Sequence, residues 1–372
     1  MTDYAEYVSP GHPDRLADAI AEGLVTAAVR ERPDALVGVE VAVHRHHVFV
    51  DGRIAAGATR VDVAGVVRDV YRNAGYGGAW GPDPATLTLT TDLCEEELPA
   101  AESDIRPFSD DQNIVIGYAC GDATTNFLPP AHWVAGELGR RLAATLRTDP
   151  GLAETYGPDF KILVVLDHDA RTRRIQWRRL VLSVLHRPGL TSEIQHRQLV
   201  PLVAGILRDL EVSGLAGIAT TFSTAVLTLN GAGDFVLGGP HGDNGLSGKK
   251  LVVDHYGPSV PIGGGALAGK DPHKVDKCGA LRARQLAKRL VREGAEEARV
   301  ILAWAPGAEA TFRPEIVTTT GGVRIRLPAE EIPALDWFAI RRIVHDLELV
   351  QRDWRADLLA GYLCHPDSPW ER

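Results

Sequence analysis

Several things are scarce in this sequence, and each scarcity excludes a class of protein. No apolar run approaches the ~18 residues needed to cross a bilayer, which sets membrane insertion aside. The opening Met-Thr-Asp-Tyr-Ala-Glu has neither the basic nor the apolar region of a secretory signal, so the expectation is a cytoplasmic protein. The four cysteines, Cys94, Cys120, Cys278 and Cys364, show no C-x-x-C spacing, against a zinc site or a disulfide framework. Net positive charge is missing too: the formal charge is -9, and affinity for nucleic acid comes mainly from Lys and Arg neutralising phosphates. Lysine is the scarcest basic residue, seven against 33 arginines. Five of the seven, Lys249, Lys250, Lys270, Lys274 and Lys277, nevertheless fall within 29 residues. Where Arg serves elsewhere for surface solvation, such a cluster marks positions that want a compact, rotatable ammonium, as phosphate binding does.

What is present fits a globular protein. At 372 residues, 45% apolar and 24% charged, the chain is long enough for two or three units with a sizeable core. Periodicity predicts helices over 13–30, 61–73, 131–146, 192–210, 274–293 and 333–347. Strands are predicted around 36–50 as a pair about His44 to His47, and over 87–93, 114–119, 160–166, 180–185, 235–237, 300–304 and 323–327. Gly52 reads as a turn. From Asp92 to Gln112 there are eight acids, one base and two prolines, the composition of a mobile loop. The units this gives are 1–98, a gating loop 99–112, then 113–228 and 229–372.

The Gly/Lys stretch carries the chemistry. Ten of the 32 residues from Gly238 to Gly269 are glycine. Without Cβ atoms, backbone N–H groups converge on an anion while neighbouring lysines add charge. Gly264 to Asp271, GGALAGKD, nearly matches a P-loop but ends in Asp, followed by Pro272, where a hydroxyl is required. Acids interleave at Asp243, Asp254, Asp271 and Asp276, suiting Mg²⁺, which takes one or two carboxylates plus phosphate oxygens. Asp276 is best placed, in the first turn of a helix whose N-terminus attracts phosphate. Near the start, Gly11-His12-Pro13-Asp14 sets His12 just before a helix and Asp14 in its first turn. Lys161, in Gly-Pro-Asp-Phe-Lys, is one of two lysines outside the cluster. His44, His46 and His47 lack an acid or Cys partner at ligand spacing, and Arg171 to Arg179 reads as a solvated hairpin.

GHPD, DQNIVIGYA, PDFK, GGPHGDNGLSGKKLVVDHYG and GGGALAGKDPHKVD, in this order over nearly the whole chain, resemble S-adenosylmethionine synthetases. The resemblance implies an α/β (α+β) fold of three similar units around a pseudo-threefold axis. It also implies a homodimer or dimer of dimers with active sites between subunits, and Mg²⁺ and K⁺ as cofactors. The implied reaction is attack of the methionine sulfur on C5′ of ATP, expelling tripolyphosphate that is then cleaved to pyrophosphate and phosphate. Position by position, His12, Lys161 and Lys270 would be catalytic. Lys249, Lys250, Lys274, Asp243 and Phe235 would contact ATP, with Asp243, Asp111 and Phe235 holding adenosine and the amino acid. Asp14 and Asp276 would bind Mg²⁺ and Glu40 K⁺.

The departures fall on the acceptor side. Arg53 stands where the family has a Glu that grips the methionine ammonium, and a guanidinium there would repel it. Cys94 to Glu97 replaces a Gln of the gate, Cys120-Gly121-Asp122-Ala123 replaces Thr-Asn-Glu-Thr, and Lys249 replaces an Arg fork. The sequence therefore supports adenosyl transfer from ATP to methionine or a related thioether. The alternatives are an acceptor with a different head group, an ATP or tripolyphosphate hydrolase, or a non-catalytic regulatory homologue.

Overall fold

The computed structural model describes residues 2–56, 61–121, 123–168, 175–212 and 222–372. Among the described residues, twelve strands make three four-stranded sheets. The strands are β1 (Thr2–Val8), β2 (Leu36–His44), β3 (His47–Ala55), β4 (Thr88–Cys94), β5 (Asn113–Cys120), β6 (Tyr156–His168), β7 (Ile175–His186), β8 (Leu227–Leu229), β9 (Asn244–Leu246), β10 (Glu297–Trp304), β11 (Glu315–Thr320) and β12 (Val323–Arg326). The helices are α1 (Pro13–Glu31), α2 (Val63–Ala74), α3 (Ala100–Ile105), α4 (Pro130–Thr148), α5 (Pro150–Thr155), α6 (Ser192–Val212), α7 (Leu251–Asp254), α8 (Val275–Arg292), α9 (Ile340–Asp346) and α10 (Trp354–Ala360).

Each sheet takes one strand from a distant part of the chain. The orders are β4-β3-β2-β9, β1-β6-β7-β8 and β12-β11-β10-β5. The N-terminal segment thus lends β1 to the second sheet, the central segment lends β5 to the third, and the C-terminal segment lends β9 to the first. This cyclic exchange among three similar α/β units is what a pseudo-threefold arrangement requires. A long helix covers one face of each sheet: α1 on β2, α4 on β1 and β6, α8 on β5 and β10. The other face is left outward, as β2 shows. Val37, Val39, Val41 and Val43 point to the core while Gly38, Glu40 and Ala42 point out, the period-2 alternation of a one-sided sheet.

One apolar core runs through the first and third units, and a second fills the central one. Where α1 and α8 meet, Lys277 Nζ lies 2.8 Å from both Glu22 carboxylate oxygens and 4.1 Å over the Trp354 ring, fully buried. Arg284 and Lys288 converge likewise on Glu371, tying down the C-terminal residues. No helix among the described residues is long and apolar enough to cross a membrane.

Several expectations from sequence are corrected. Gly52 is no turn: β3 continues through it at φ 112°, and a Cβ there would sit 2.2 Å from the Gly38 carbonyl oxygen. Residues 235–237 form no strand, because the Phe235 amide is taken by His186 Nε2. The helix expected over 333–347 is divided: a 3₁₀ helix covers Leu335–Phe338 and the α-helix begins only at Ile340, whose free first-turn amide donates to the Glu309 carbonyl. The acidic loop contains a docked helix, α3. Asp122 and residues 171–174 of the basic run lie outside the described residues.

Candidate active site

The residues singled out in the sequence gather in two constellations on the outward side. The first is built around the start of α1. Pro13 occupies the first helical position, where its missing N–H costs nothing, and His12 becomes the N-cap, φ -64° and ψ 137°. The His12 Nδ1 accepts the Asp14 amide at 3.2 Å. With Nδ1 an acceptor, the ring proton is on Nε2, which is buried with no protein partner. Burial, then the charges of Lys161 and Lys250, lowers the His12 pKa to about 3, so the ring is neutral at pH 7. The result is a desolvated N–H donor lacking an acceptor and surrounded by cations, a place for an anionic ligand oxygen.

The surrounding groups arrive by strand exchange. β9 crosses directly over the motif: a Cβ on Gly245 would meet the Pro13 carbonyl at 2.2 Å, and the Leu246 amide donates to Asp14 Oδ1 at 3.0 Å. Beyond β9 the Gly248 amide is held by Asp18 at 2.8 Å, and Arg15 clamps Asp254 at 2.7 Å. This anchoring brings Lys250 onto Asp14 Oδ2 and Lys249 Nζ to 3.5 Å from Oδ1. Burial alone would raise the Asp14 pKa, but the Lys250 bond and the Leu246 amide outweigh it and hold the carboxyl below its ordinary value. On the other side, the β1–β6 register sets Lys161 opposite Val8.

Asp159 belongs to this group, although the sequence reading quoted its motif without selecting it. Its Oδ2 accepts the Gly239 amide at 2.8 Å, its Oδ1 is buried and unpartnered, and burial pushes its pKa up to about 6. Asp243 is exposed, its carboxylate accepting the Asn244 amide, and the half-buried Phe235 ring lies against Gly238.

The second constellation surrounds Gly38, which pairs with Arg53 of β3 on one side and bridges to Lys270 on the other. Asp276, in the first turn of α8, has Oδ1 2.6 Å from Lys270 Nζ. The two close over Gly265, where a Cβ would be 1.5 Å from Asp276 Oδ1. Lys274, the N-cap of α8, pairs with Asp110 of the acidic segment. Asp111, next to it, bonds the Gln112 amide. Glu40 accepts the Ser247 hydroxyl at 2.7 Å, with both residues on the first sheet's outward side. Among the described residues, no ion pair or hydrogen bond joins the side chains of the two constellations.

Arg53, which stands where the family has a Glu, is already paired within the chain. Glu102 of α3 forks it, Nη1 to Oε1 at 2.9 Å and Nη2 to Oε2 at 2.5 Å, so the pair is neutral overall. Two acids of the Gly/Lys stretch are structural. Asp271 is fully buried and accepts the Val37 and His273 amides besides the Arg106 guanidinium, and Asp254 belongs to Arg15. The near P-loop is no P-loop either, since Lys270 sits in a β-bridge and α8 starts only at Val275.

Three family models describe the chain in register with this geometry: the S-adenosylmethionine synthetase N-terminal domain over 2–95, the central domain over 108–222 and the C-terminal domain over 237–372. The S-adenosylmethionine synthase of Corynebacterium kroppenstedtii is 31% identical over 99% of this chain and 95% of its own. That of Thermus thermophilus is 32% identical over 99% and 94%. The chain belongs to the S-adenosylmethionine synthetase family. A solved structure described as an unusual S-adenosylmethionine synthetase from Campylobacter jejuni superposes with a TM-score of 0.84 at 25% identity, covering all of this chain and 96% of that one. As a member of this family the chain is an enzyme of the methionine adenosyltransferase kind.

The family implies Mg²⁺ and K⁺, and the donor sets fit them. Among the described residues no three His, Cys, Asp or Glu form a protein-only metal cage. Each constellation instead offers an aspartate in the first turn of a helix beside lysine, Asp14 or Asp276, which is the form of a Mg²⁺ site completed by substrate phosphates. The Glu40 carboxylate and Ser247 hydroxyl supply oxygen donors suited to K⁺.

Proposed function

We propose that this synthetase-family chain transfers the 5′-adenosyl group of ATP to the sulfur of methionine or a closely related thioether. The reading rests on the buried, neutral His12 and its unpartnered Nε2–H beside Lys161, Lys250 and Asp14. A sulfur lone pair forms the S–C5′ bond while the C5′–O5′ electron pair leaves with tripolyphosphate. Negative charge grows on the departing oxygen, and a fixed N–H donor in a water-poor site stabilises it more than it stabilises the ground state. Lys161, Lys250 and Lys249 hold the polyphosphate from one side, Lys270 and Lys274 from the other. Mg²⁺, held by Asp14 and Asp276, would screen the phosphate charge, and K⁺ would lie near Glu40. Asp243, Phe235 and Asp111 contact adenosine and the amino acid. Because no ion pair or hydrogen bond joins the two constellations among the described residues, a homodimer that brings each against its partner's complement is part of this reading.

One observation favours a second reading of the acceptor. Arg53 and Glu102 offer opposite charges to a head group: an ammonium can take Glu102, while a carboxylate can replace Glu102 on Arg53. Incubation with ATP, Mg²⁺ and K⁺, with methionine or 4-(methylthio)butanoate, resolves the choice when adenosyl product and phosphate are followed separately by mass spectrometry. S-adenosylmethionine as the main product supports the first reading. Preference for the amine-free acid supports the second, and phosphate with no adenosyl product across thioethers eliminates both and leaves a hydrolase.

A further inference from the structure

On the helix side of the β1-β6-β7-β8 sheet, behind the face that carries Lys161, a cavity of about 360 Å³ opens between the C-terminal ends of α2 and α10 and the second half of α4. This volume is of small-molecule size, the usual range being about 300–1,000 Å³. Short side chains leave the space: Ala74 of α2, Ala143 and Ala144 of α4 and Ala360 of α10 line it. Aromatic rings supply much of the remaining wall. Trp80 is fixed by its indole N–H to the Ala153 carbonyl at 2.8 Å, and Tyr156 by its hydroxyl to Gln198 at 2.8 Å.

The charge of the wall is one-sided. Arg140 and Arg147 both line the cavity. Arg140 pairs with Glu137 at 2.7 Å, but Arg147 donates only to the Asn73 carbonyl at 3.1 Å and has no carboxylate partner among the described residues. A third guanidinium, of Arg187, stacks 4.9 Å from the centre of the Trp80 ring. An aromatic body with an anionic group matches such a surface, because a guanidinium fork binds a carboxylate bidentately.

The floor of the cavity is the back of the active site. Pro10 and Pro158 form part of it, and they are locked together. Ser9 Oγ donates to the Pro158 carbonyl at 2.7 Å and accepts the Phe160 amide at 2.8 Å, and Gly11 packs so closely that a Cβ would lie 2.5 Å from Pro158. The chain leaves this lock at His12, the N-cap of α1, on one side and at Lys161 of β6 on the other. On β6 the buried Phe160 lines the cavity while the next residue, Lys161, is exposed on the opposite face.

We propose that this cavity is a second ligand site, separate from the polyphosphate site, which takes a small aromatic carboxylate between Trp80 and Tyr156 with its anion on Arg147, and that occupancy is felt at His12 and Lys161 through the Pro10–Pro158 floor. The coupling rests on the adenosyl-transfer reading; the binding does not.

Calorimetric titration of the full chain with 1-naphthoate tests the binding without any turnover. The expected result is one saturable site, with the neutral 1-naphthalenemethanol bound at least about tenfold more weakly. Binding should persist in saturating MgATP. Ala143→Phe, which fills the cavity, should abolish it. Arg147→Met, a change at an exposed side chain that leaves the core intact, should weaken it about tenfold. Absence of saturable binding below about 1 mM, full affinity in either variant, or displacement by MgATP would overturn the site. For the coupling, 1-naphthoate should change the turnover number at least twofold in the native chain and not in Ala143→Phe; an unchanged rate at proven saturation overturns it.

Discussion

Arg53 of β3 and Glu102 of α3 meet as a forked ion pair, and this pair joins the acidic segment to the sheet that carries the candidate site. Both side chains are about one-third exposed, so solvent screens the pair and keeps it weak. A weak pair is enough to bias a gate but not to hold the fold. Glu102→Gln should therefore raise amide hydrogen exchange over 100–105 about fivefold while leaving the melting temperature within about 2 °C. Arg53→Glu should loosen the segment further by setting two carboxylates together, and the exchanged pair Arg53→Glu with Glu102→Arg should restore protection. If the double variant exchanges as fast as Arg53→Glu alone, the ion pair is not what docks α3.

His12 has two roles that a single substitution separates. As N-cap its Nδ1 accepts the Asp14 amide, and as proposed donor its Nε2–H faces the leaving oxygen. Asparagine is a good N-cap whose side-chain oxygen can take over the first role, but its shorter amide cannot reach to the second. His12→Asn should thus fold with little loss of melting temperature and lower kcat by about 10²–10³, the cost of one preorganised oxyanion donor, with the KM for ATP changed only a few-fold. Steady-state kinetics on the refolding-competent variant checks this, and an unchanged kcat would remove His12 from the transition state.

How much of this was legible in the sequence depended on how local the determining contacts are. The start of α1 follows from Gly-His-Pro-Asp alone, and the lysine cluster marked both constellations, because capping preference and charge density are written in neighbouring residues. The exchange of β1, β5 and β9 between sheets was not legible. A strand's partner lies more than 150 residues away, as with β1 and β6, and three-residue β9 has no period to detect. Helix α3 escaped for a related reason. Its composition is that of a solvated loop, and what docks it is tertiary: Glu102 on Arg53, Ser103 on Asp34, and Arg106 on the Asp34 and Ala35 carbonyls. Asp159 shows the same limit, since only pairing with the Gly239 amide distinguishes it from an ordinary strand-end acid.

Asp271 gives a pH prediction whose sign can be worked out. Burial alone would raise its pKa, but the hydrogen bond from His273 and the charge of Arg106 outweigh burial and hold the carboxyl well below the usual range. A carboxyl with a depressed folded pKa stabilises the native state fully above its unfolded pKa of about 3.9 and loses that contribution as pH falls toward the folded value. Asp271→Asn, which strands the buried Arg106 charge, should cost about 3–5 kcal/mol at pH 7. In urea denaturation at a series of pH values the deficit should be constant from pH 5 upward and shrink below pH 4. A deficit that grows on acidification would contradict the assigned sign.

Gly265 tests whether the second constellation binds polyphosphate as a unit. Asp276 and Lys270 close over it, leaving no room for a methyl: an added Cβ would overlap Asp276 Oδ1 at 1.5 Å and approach Lys270 Nζ at 2.7 Å. Both obstacles are side-chain ends rather than backbone, so Gly265→Ala should fold, at a cost of about 1 kcal/mol, by pushing the ion pair apart. Displacing the carboxylate proposed for Mg²⁺ together with the ammonium proposed for the phosphates should act on one step. The Mg²⁺ concentration for half-maximal activity and the KM for ATP should rise together, each about tenfold or more, with the value for methionine little altered. Asp14→Asn serves as the control from the other constellation. Its amide oxygen can still accept the Leu246 N–H while the charge is lost, so it should reproduce the Mg²⁺ shift without moving Lys270. A Gly265→Ala enzyme with native Mg²⁺ dependence would mean that Asp276 and Lys270 serve each other, as an ordinary surface ion pair, and not the polyphosphate.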